Sequence, residues 1–296
     1  MKSSSLNAVR GESETVDLQL GDREFDFLRG VVERNAGIVL GPNKKQLVQG
    51  RLARRLRELN LRSFHQYCEL VKDSGPEELV ALINAITTNV TAFFRENHHL
   101  EALGEYMLPE AMQRNAQSRR LRIWSAGCSS GEEPYSIAMV AAETLPITPR
   151  WELKILATDI DTEVVSSAAR GMFSADKLSG ISQAQLRRWF QKGSGANQGL
   201  VKARDELISS ISFRTLNLMQ EWPVRGPFDV IFCRNVMIYF DAATRDRLVR
   251  RFAALIADGG YLCLGHSESI HGPSAGFKLV GRTIYKKVSG HAEVSV

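Results

Sequence analysis

Four short runs carry side chains that could bind or transform a ligand. The first, Asn89-Val90-Thr91-Ala92-Phe93-Phe94-Arg95, sets Asn89, Thr91 and Arg95 among aromatics. The second, Gly127-Cys128-Ser129-Ser130-Gly131-Glu132-Glu133-Pro134, follows an apolar run and opens a helical pattern. Its glycines let the backbone approach a ligand closely, and Pro134 suits the first turn of a helix. A loop of this kind that held a pyrophosphate would offer bare amides and commonly a Lys. Here Glu132 and Glu133 stand in that place with no Lys in the loop, and like charges at short range repel. The pair suits a ligand with positive charge beside a carboxylate, as the sulfonium and ammonium of S-adenosylmethionine provide. Which of the two carboxylates faces the ligand stays open.

The third run, Ala157-Thr158-Asp159-Ile160-Asp161, ends an apolar strand pattern on a carboxylate. An acidic residue at the end of a second strand can accept both ribose hydroxyls. Asp161 is the better helix cap, which frees Asp159 for a ligand. The fourth run is Cys233-Arg234-Asn235-Val236-Met237-Ile238-Tyr239-Phe240. Core packing accounts for Val236, Met237, Ile238 and Phe240 but not for Arg234, Asn235 and Tyr239. Asn217-Leu218 is expected at a neighbouring strand end.

Elements must hold these runs in place. Phe25, Leu28, Val31 and Val32 form an apolar helical stripe that Gly37 closes; further stripes run through Leu47, Leu52, Leu56 and Leu59, through Phe64, Tyr67, Cys68 and Leu70, and, after Pro76, through Leu79, Leu82, Ile83 and Ile86. With no strand signal among them, residues 16–88 are expected to be an all-helical domain, and 89–120 a linker with a cofactor-contacting helix. Beyond it, strands at 121–125, 151–158, 228–233 and 261–265 alternate with helices at 132–145, 162–170 and 242–257, and a hairpin over 277–287 closes the pattern. That alternation predicts an α/β fold with a doubly wound, mainly parallel sheet over residues 121–288. The stretch 174–218 breaks the rhythm with a helix at 183–191, Gly193-Ser194-Gly195, and alternation over 207–216. It reads as an inserted small antiparallel β-subdomain, about 174–216. Residues 1–15 and 289–296 read as polar tails.

Composition narrows the classes. Of 296 residues, 44% are apolar, enough for packed cores. No apolar run approaches the roughly 20 residues that cross a bilayer, and residues 1–19 lack the apolar core of a secretory signal. Cys68, Cys128, Cys233 and Cys263 are scattered, which predicts reduced thiols in a cytoplasmic protein. His98 and His99 are adjacent, expected on different helix faces, so no metal site is predicted. The net charge is +5, and between Lys44 and Arg62 seven basic residues meet one acidic residue. Such a stripe attracts nucleic acid, an acidic membrane surface or an acidic protein face; aromatics do not alternate with it as they do in single-strand readers.

Taken together, Thr87 to Arg95, Ser129 to Ser136, Ala157 to Asp161, Cys233 to Phe240 and the later Gly265-His266-Ser267-Glu268 resemble, in order, the signature segments of the chemotaxis receptor methyltransferases, the CheR family. The resemblance spans about residues 20–288. It implies a class I S-adenosylmethionine methyltransferase that esterifies receptor glutamates and releases S-adenosylhomocysteine. It further implies cofactor contacts from Asn89, Thr91, Arg95, Glu133, Asp159, Asn217, Leu218, Arg234 and Asn235. Tyr239 and Arg95 are the candidates for orienting the substrate carboxylate. Arg51, Arg54, Arg55 and Arg57 are the candidates for docking acidic receptor helices. The β-subdomain resembles those that dock a receptor C-terminal peptide. A monomer with no nucleic-acid partner and no membrane insertion is expected.

Overall fold

The computed structural model describes residues 18–270 and 276–288; the expected tails at 1–15 and 289–296 lie outside them. Four helices come first: α1 (Asp22–Ala36), α2 (Lys45–Glu58), α3 (Phe64–Asp73) and α4 (Pro76–Ile86). Gly37 ends α1 with φ 71°, its amide donating to the Glu33 carbonyl. The Ser63 hydroxyl caps α3 by accepting from the Gln66 amide. The apolar stripes meet as one core that includes Phe25, Leu28, Val32, Val48, Leu52, Leu56, Tyr67 and Leu82. Full burial of each such side chain contributes about 1.5–3 kcal/mol, which is why four short helices stay together.

The linker carries α5 (His98–Ala102), a π turn (Leu103–Met107) and α6 (Leu108–Arg114). The larger domain then runs β1 (Arg120–Ala126), α7 (Glu132–Thr144), β2 (Glu152–Asp159), α8 (Thr162–Ala169), β3 (Met172–Ser174), α9 (Gln183–Trp189), β4 (Phe190–Lys192), β5 (Leu200–Ala203), α10 (Asp205–Ser210) and β6 (Ile211–Thr215). It ends with β7 (Phe228–Cys233), α11 (Ala242–Leu255), β8 (Ile256–Leu264), β9 (Phe277–Gly281) and β10 (Ile284–Lys287). The seven-stranded sheet has the order β6-β2-β1-β7-β8-β10-β9. Its first five strands are parallel, and β10 pairs antiparallel with β8 and β9. One face packs on Tyr135, Ile137, Ala138 and Met139 of α7 and on Val165 and Ala168 of α8. The other packs on Leu248, Val249 and Phe252 of α11. The fold is thus the doubly wound, mainly parallel α/β architecture with an all-helical N-terminal domain. Among the described residues no helix is long and apolar enough to cross a membrane, and all four cysteines are buried as free thiols.

The insertion is smaller than the stretch 174–216. A three-stranded antiparallel sheet, β3-β5-β4, occupies residues 172–203. The alternation from Leu207 resolves into α10 and then β6, which pairs in parallel with β2 from Ile155–Ile211 to Asp159–Thr215. Ile211 and Phe213 are buried as a half-buried edge strand requires, and period-two patterning is the same whichever sheet the strand joins. The residues Asn217-Leu218 therefore follow a strand of the main sheet. The helix expected over 183–191 stops at Trp189, because Phe190 starts β4.

Candidate cofactor and catalytic site

The strand order reverses between β1 and β7, the position where open parallel sheets leave a crevice at their carboxyl ends. A cavity lies there, and the helical domain covers it with Ile38, Leu40, Leu47, Ile86 and Thr88. Asn89, Thr91, Arg95, Glu133, Asp159, Asn217, Leu218, Arg234, Asn235 and Tyr239 all line it. Residues spread over 150 positions of sequence are brought to one wall by the ends of β1, β2, β6 and β7 and by the linker.

The glycine loop is built for close approach. Gly127 has φ 92°, and a Cβ there would stand 2.2 Å from the Val236 side chain; Gly131 has φ 101°, and its Cβ would stand 2.9 Å from that of Ala168. The two carboxylates part company. Glu132 is fully buried, accepts from the Ser130 hydroxyl at 2.6 Å and pairs with Lys177 of the insertion at 3.0 Å. Glu133 faces the cavity, with Oε1 accepting from the Ser125 hydroxyl at 2.7 Å and Oε2 from Arg234 Nη1 at 3.0 Å.

The two aspartates divide their work as their positions suggest. Asp161 caps α8, its Oδ1 accepting from the amides of Glu163 and Val164, while its Oδ2 accepts from the Thr87 hydroxyl at 2.8 Å and Asn89 Nδ2 at 2.7 Å. Asp159 accepts one amide on each oxygen, from Asp161 at 3.1 Å and from Ser129 at 2.8 Å, and lines the cavity. Burial pushes its carboxyl up from the ordinary aspartate value, against those amide bonds. Each of its oxygens keeps a second lone pair for a ligand.

Tyr239 is stitched to the cover, its carbonyl accepting from the Val39 amide at 2.9 Å. Arg95 Nη1 donates to the Val90 carbonyl at 2.6 Å. The Asn217 side chain is committed to structure: Nδ2 donates to the Asn35 carbonyl at 2.6 Å and Oδ1 accepts from the Met219 amide at 2.9 Å. Asn235 adopts φ 59° and its amide donates to Glu268 Oε2 at 3.0 Å. That carboxylate also takes the Gly265 and Ile238 amides, and burial raises it against these bonds.

The four arginines of α2 do not form one face. Arg51 donates to the carbonyls of Ile86 and Thr87 at the end of α4, and Arg55 pairs with Glu78 of α4, a carboxylate only 8% exposed. Residues four apart share a helix face, so this pair turns inward onto α4. Arg54, with its side chain 84% exposed beside Glu58, and Arg57 point outward. His98 and His99 are also closer than adjacency suggests: their ring centroids lie 4.0 Å apart with the planes tilted by 40°, and with Glu96 they offer ligand atoms within 4.8 Å of one another. Sequence reasoning passed over Glu96 and the Ser129 hydroxyl, which is buried in the cavity wall without a hydrogen-bond partner. A lone Glu or Ser in a loop carries no periodic signal; only the amides and cations folded around it mark it.

The donor set fits S-adenosylmethionine. Asp159 offers free acceptors, Ser129 an unpartnered hydroxyl, Arg234 and Glu133 a charge pair, and Ile160, Leu216, Leu218 and Val236 apolar walls. Fold and cavity together define a doubly wound α/β protein whose crevice, at the carboxyl ends of its strands, is lined by carboxylates and an arginine. The family model of the CheR methyltransferase SAM-binding domain matches residues 89–286, and that of the CheR all-alpha domain residues 23–87. The chain is 44% identical over 274 residues to the chemotaxis protein methyltransferase of Escherichia coli, covering 92% of this chain and 93% of that one. It is 43% identical to its namesake in Salmonella typhimurium, over 92% of each chain. To the probable chemotaxis protein methyltransferase of Rhizobium etli it is 41% identical over 86% of this chain and 96% of that one. The chain belongs to the CheR methyltransferase family.

Proposed function

We propose that this enzyme methylates glutamate side chains of chemoreceptors to γ-glutamyl esters, in the cytoplasm and as a monomer, as an adaptation step of chemosensory signalling. The convergence of Asp159, Glu133, Arg234, Tyr239 and Arg95 on one cavity carries the reading. The relatives' names as chemotaxis protein methyltransferases supply the class of substrate.

S-adenosylmethionine, when bound, supplies an electrophilic methyl on a sulfonium. Asp159 would accept the ribose hydroxyls; Glu133 and Arg234 would hold the methionine end; Asn217 and Leu218 would wall the adenine side; Asn235, Asn89 and Thr91 would complete the shell. A glutamate acceptor, with a reference pKa of about 4.3, is already ionised at neutral pH. Such an acceptor would need no proton removed before attacking a methyl group. No general base is required, in keeping with a lining that includes no histidine among the described residues. The protein's part is alignment, an effect that can supply roughly 7–11 kcal/mol of a barrier. The Tyr239 hydroxyl orients the acceptor by donating to it. Arg95 adds charge, and its bond to the Val90 carbonyl keeps it from gripping the nucleophile too tightly.

Docking falls to the outward Arg54 and Arg57, with Arg51 and Arg55 holding α2 in place behind them. The outer strands of the small sheet, β3 and β4, are where a receptor C-terminal peptide would add as a further strand. The test is incubation with labelled S-adenosylmethionine and a receptor cytoplasmic fragment. Base-labile label on the receptor is expected; stable label on added RNA or duplex DNA overturns the reading. Tyr239→Phe is expected to keep cofactor affinity and lose rate, and parental turnover would leave Tyr239 a packing residue.

A further inference from the structure

Beside Arg234, and outside the cavity lining, lies a cluster of groups that this chemistry does not use: the largely buried Glu96 and His99 with the exposed His266. Glu96 follows Arg95 with φ 50°, a backbone state that a non-glycine residue keeps only where its surroundings hold it. Its carboxylate is 13% exposed and meets side chains from three parts of the chain. Oε1 accepts from His266 Nδ1 at 2.9 Å and from Asn235 Nδ2 at 3.3 Å. Oε2 lies 3.6 Å from Arg234 Nη2 and 3.7 Å from His99 Nδ1, and neither Oε2 nor that imidazole nitrogen has a hydrogen-bond partner. Burial pushes the carboxyl up, but the His266 bond and the Arg234 charge outweigh it and hold it at about 2. Arg234, its side chain 2% exposed, therefore meets two anions, Glu133 and Glu96.

We propose that Glu96 is a positioning residue for methyl transfer, fixing Arg234 and Asn235 in the orientation they present to the methionine end of the cofactor. The inference rests on the reading of the cavity as the cofactor site. Two cavity residues meet at this one carboxylate: Arg234 by charge, its Nη2 also donating to the carbonyl of the neighbouring Arg95, and the Asn235 side chain by hydrogen bond. A buried guanidinium that loses one of two anions is left partly uncompensated and reorients toward the other. The same cluster has the ligand spacing of a metal site, but the Arg234 guanidinium already faces the carboxylate oxygen that a dication would need. His98 and His99 also direct their Nε2 atoms to the Arg282 carbonyl and the Thr283 hydroxyl. Positioning is the better account.

The test is calorimetry of S-adenosylmethionine and S-adenosylhomocysteine on the full chain, in the parent, Glu96→Gln, Glu96→Asp, Arg234→Lys and the Glu96→Gln/Arg234→Lys double variant. Glu96→Gln is expected to weaken both ligands about tenfold, to raise the cofactor KM more than it lowers kcat, and to leave the receptor KM in place. The double variant is expected to bind within about twofold of Arg234→Lys, because both changes remove one interaction. Glu96→Asp keeps the charge with a shorter reach, so an intermediate loss at a near-parental melting temperature is expected, and this arm stands should the Gln variant fail to fold. Parental affinity in Glu96→Gln beside a weakened Arg234→Lys overturns the positioning role alone, as do fully additive losses. Parental affinity in Arg234→Lys overturns the cavity reading itself. Activity that requires added Zn²⁺ and loses that requirement in Glu96→Gln assigns the cluster to a metal and also overturns the proposal.

Discussion

The sheet rim and the helical cover enclose the same cavity by opposite means. On the rim, Gly127, Ser129, Gly131 and Asn235 all have positive φ, and two carboxylates, the half-buried Asp159 and the buried Glu268, pin the irregular backbone. Asp159 takes the Ser129 amide; Glu268 takes those of Asn235 and Gly265. The cover is made of regular helices that present apolar side chains and attach through a few hydrogen bonds. Asn35 and Val39 bond to Asn217 and Tyr239 on one side; Asn84, Thr87 and Asn89 bond to Thr162 and Asp161 on the other. A bond of this kind is worth about 0.5–1.5 kcal/mol net, so the cover is held by stitches whereas the rim is pinned by carboxylates of its own domain. Polar groups collect at the carboxyl ends of the strands and in the turns that follow them, where backbone amides such as those of Ser129, Asn235 and Gly265 have left the ladder and are free to meet side-chain carboxylates.

Three variants probe that contrast. The largest effect is expected on the rim. Asp159→Ala removes a charged acceptor and is expected to weaken S-adenosylmethionine by about 1.5–3 kcal/mol, roughly 10- to 150-fold in Kd, with the fold retained. Calorimetry that finds the parental Kd in a folded variant removes Asp159 from the site, and with it the idea that the rim carries the affinity.

A smaller and different effect is expected at the stitches. Asp161→Ala loses the α8 cap and both bonds to Thr87 and Asn89. Loss of a cap alone costs about 1 kcal/mol, so a lower melting temperature is expected, with a smaller change in cofactor Kd than Asp159→Ala gives. A larger Kd change than Asp159→Ala would show that the cover, not the rim, sets affinity.

The smallest effect belongs to the outer surface of the cover. Replacing Arg54 and Arg57 with Ala is expected to raise the receptor KM by less than about fivefold, since exposed charges contribute little each. The rise is expected to fade with added salt, because the Debye length is about 8 Å at physiological ionic strength and shrinks further above it. Cofactor Kd is expected to stay parental. Parental receptor KM at low salt makes these two arginines a solvated face.

Much of the site was legible because its signals are local. Asp161 could be told from Asp159 by cap position, and Pro134 and two glycines announced a strand-to-helix turn that a ligand could approach. The helical stripes and the strand–helix alternation gave the two architectures, since buried faces repeat with the period of the element that buries them. What tertiary structure alone decided was every relation between distant residues of equal local character. Glu132 and Glu133 are neighbours of one type, and only the helix phase of α7 sends one to Lys177 and the other to Arg234. Arg51 and Arg55 look like Arg54 and Arg57 until α4 packs against one side of α2. The strand at Ile211–Thr215 alternates as a strand of either sheet would, and only the tertiary fold shows that it pairs in parallel with β2. Glu96 had no pattern at all; its role comes from the guanidinium, amide and imidazole that chain segments more than a hundred residues away bring to it.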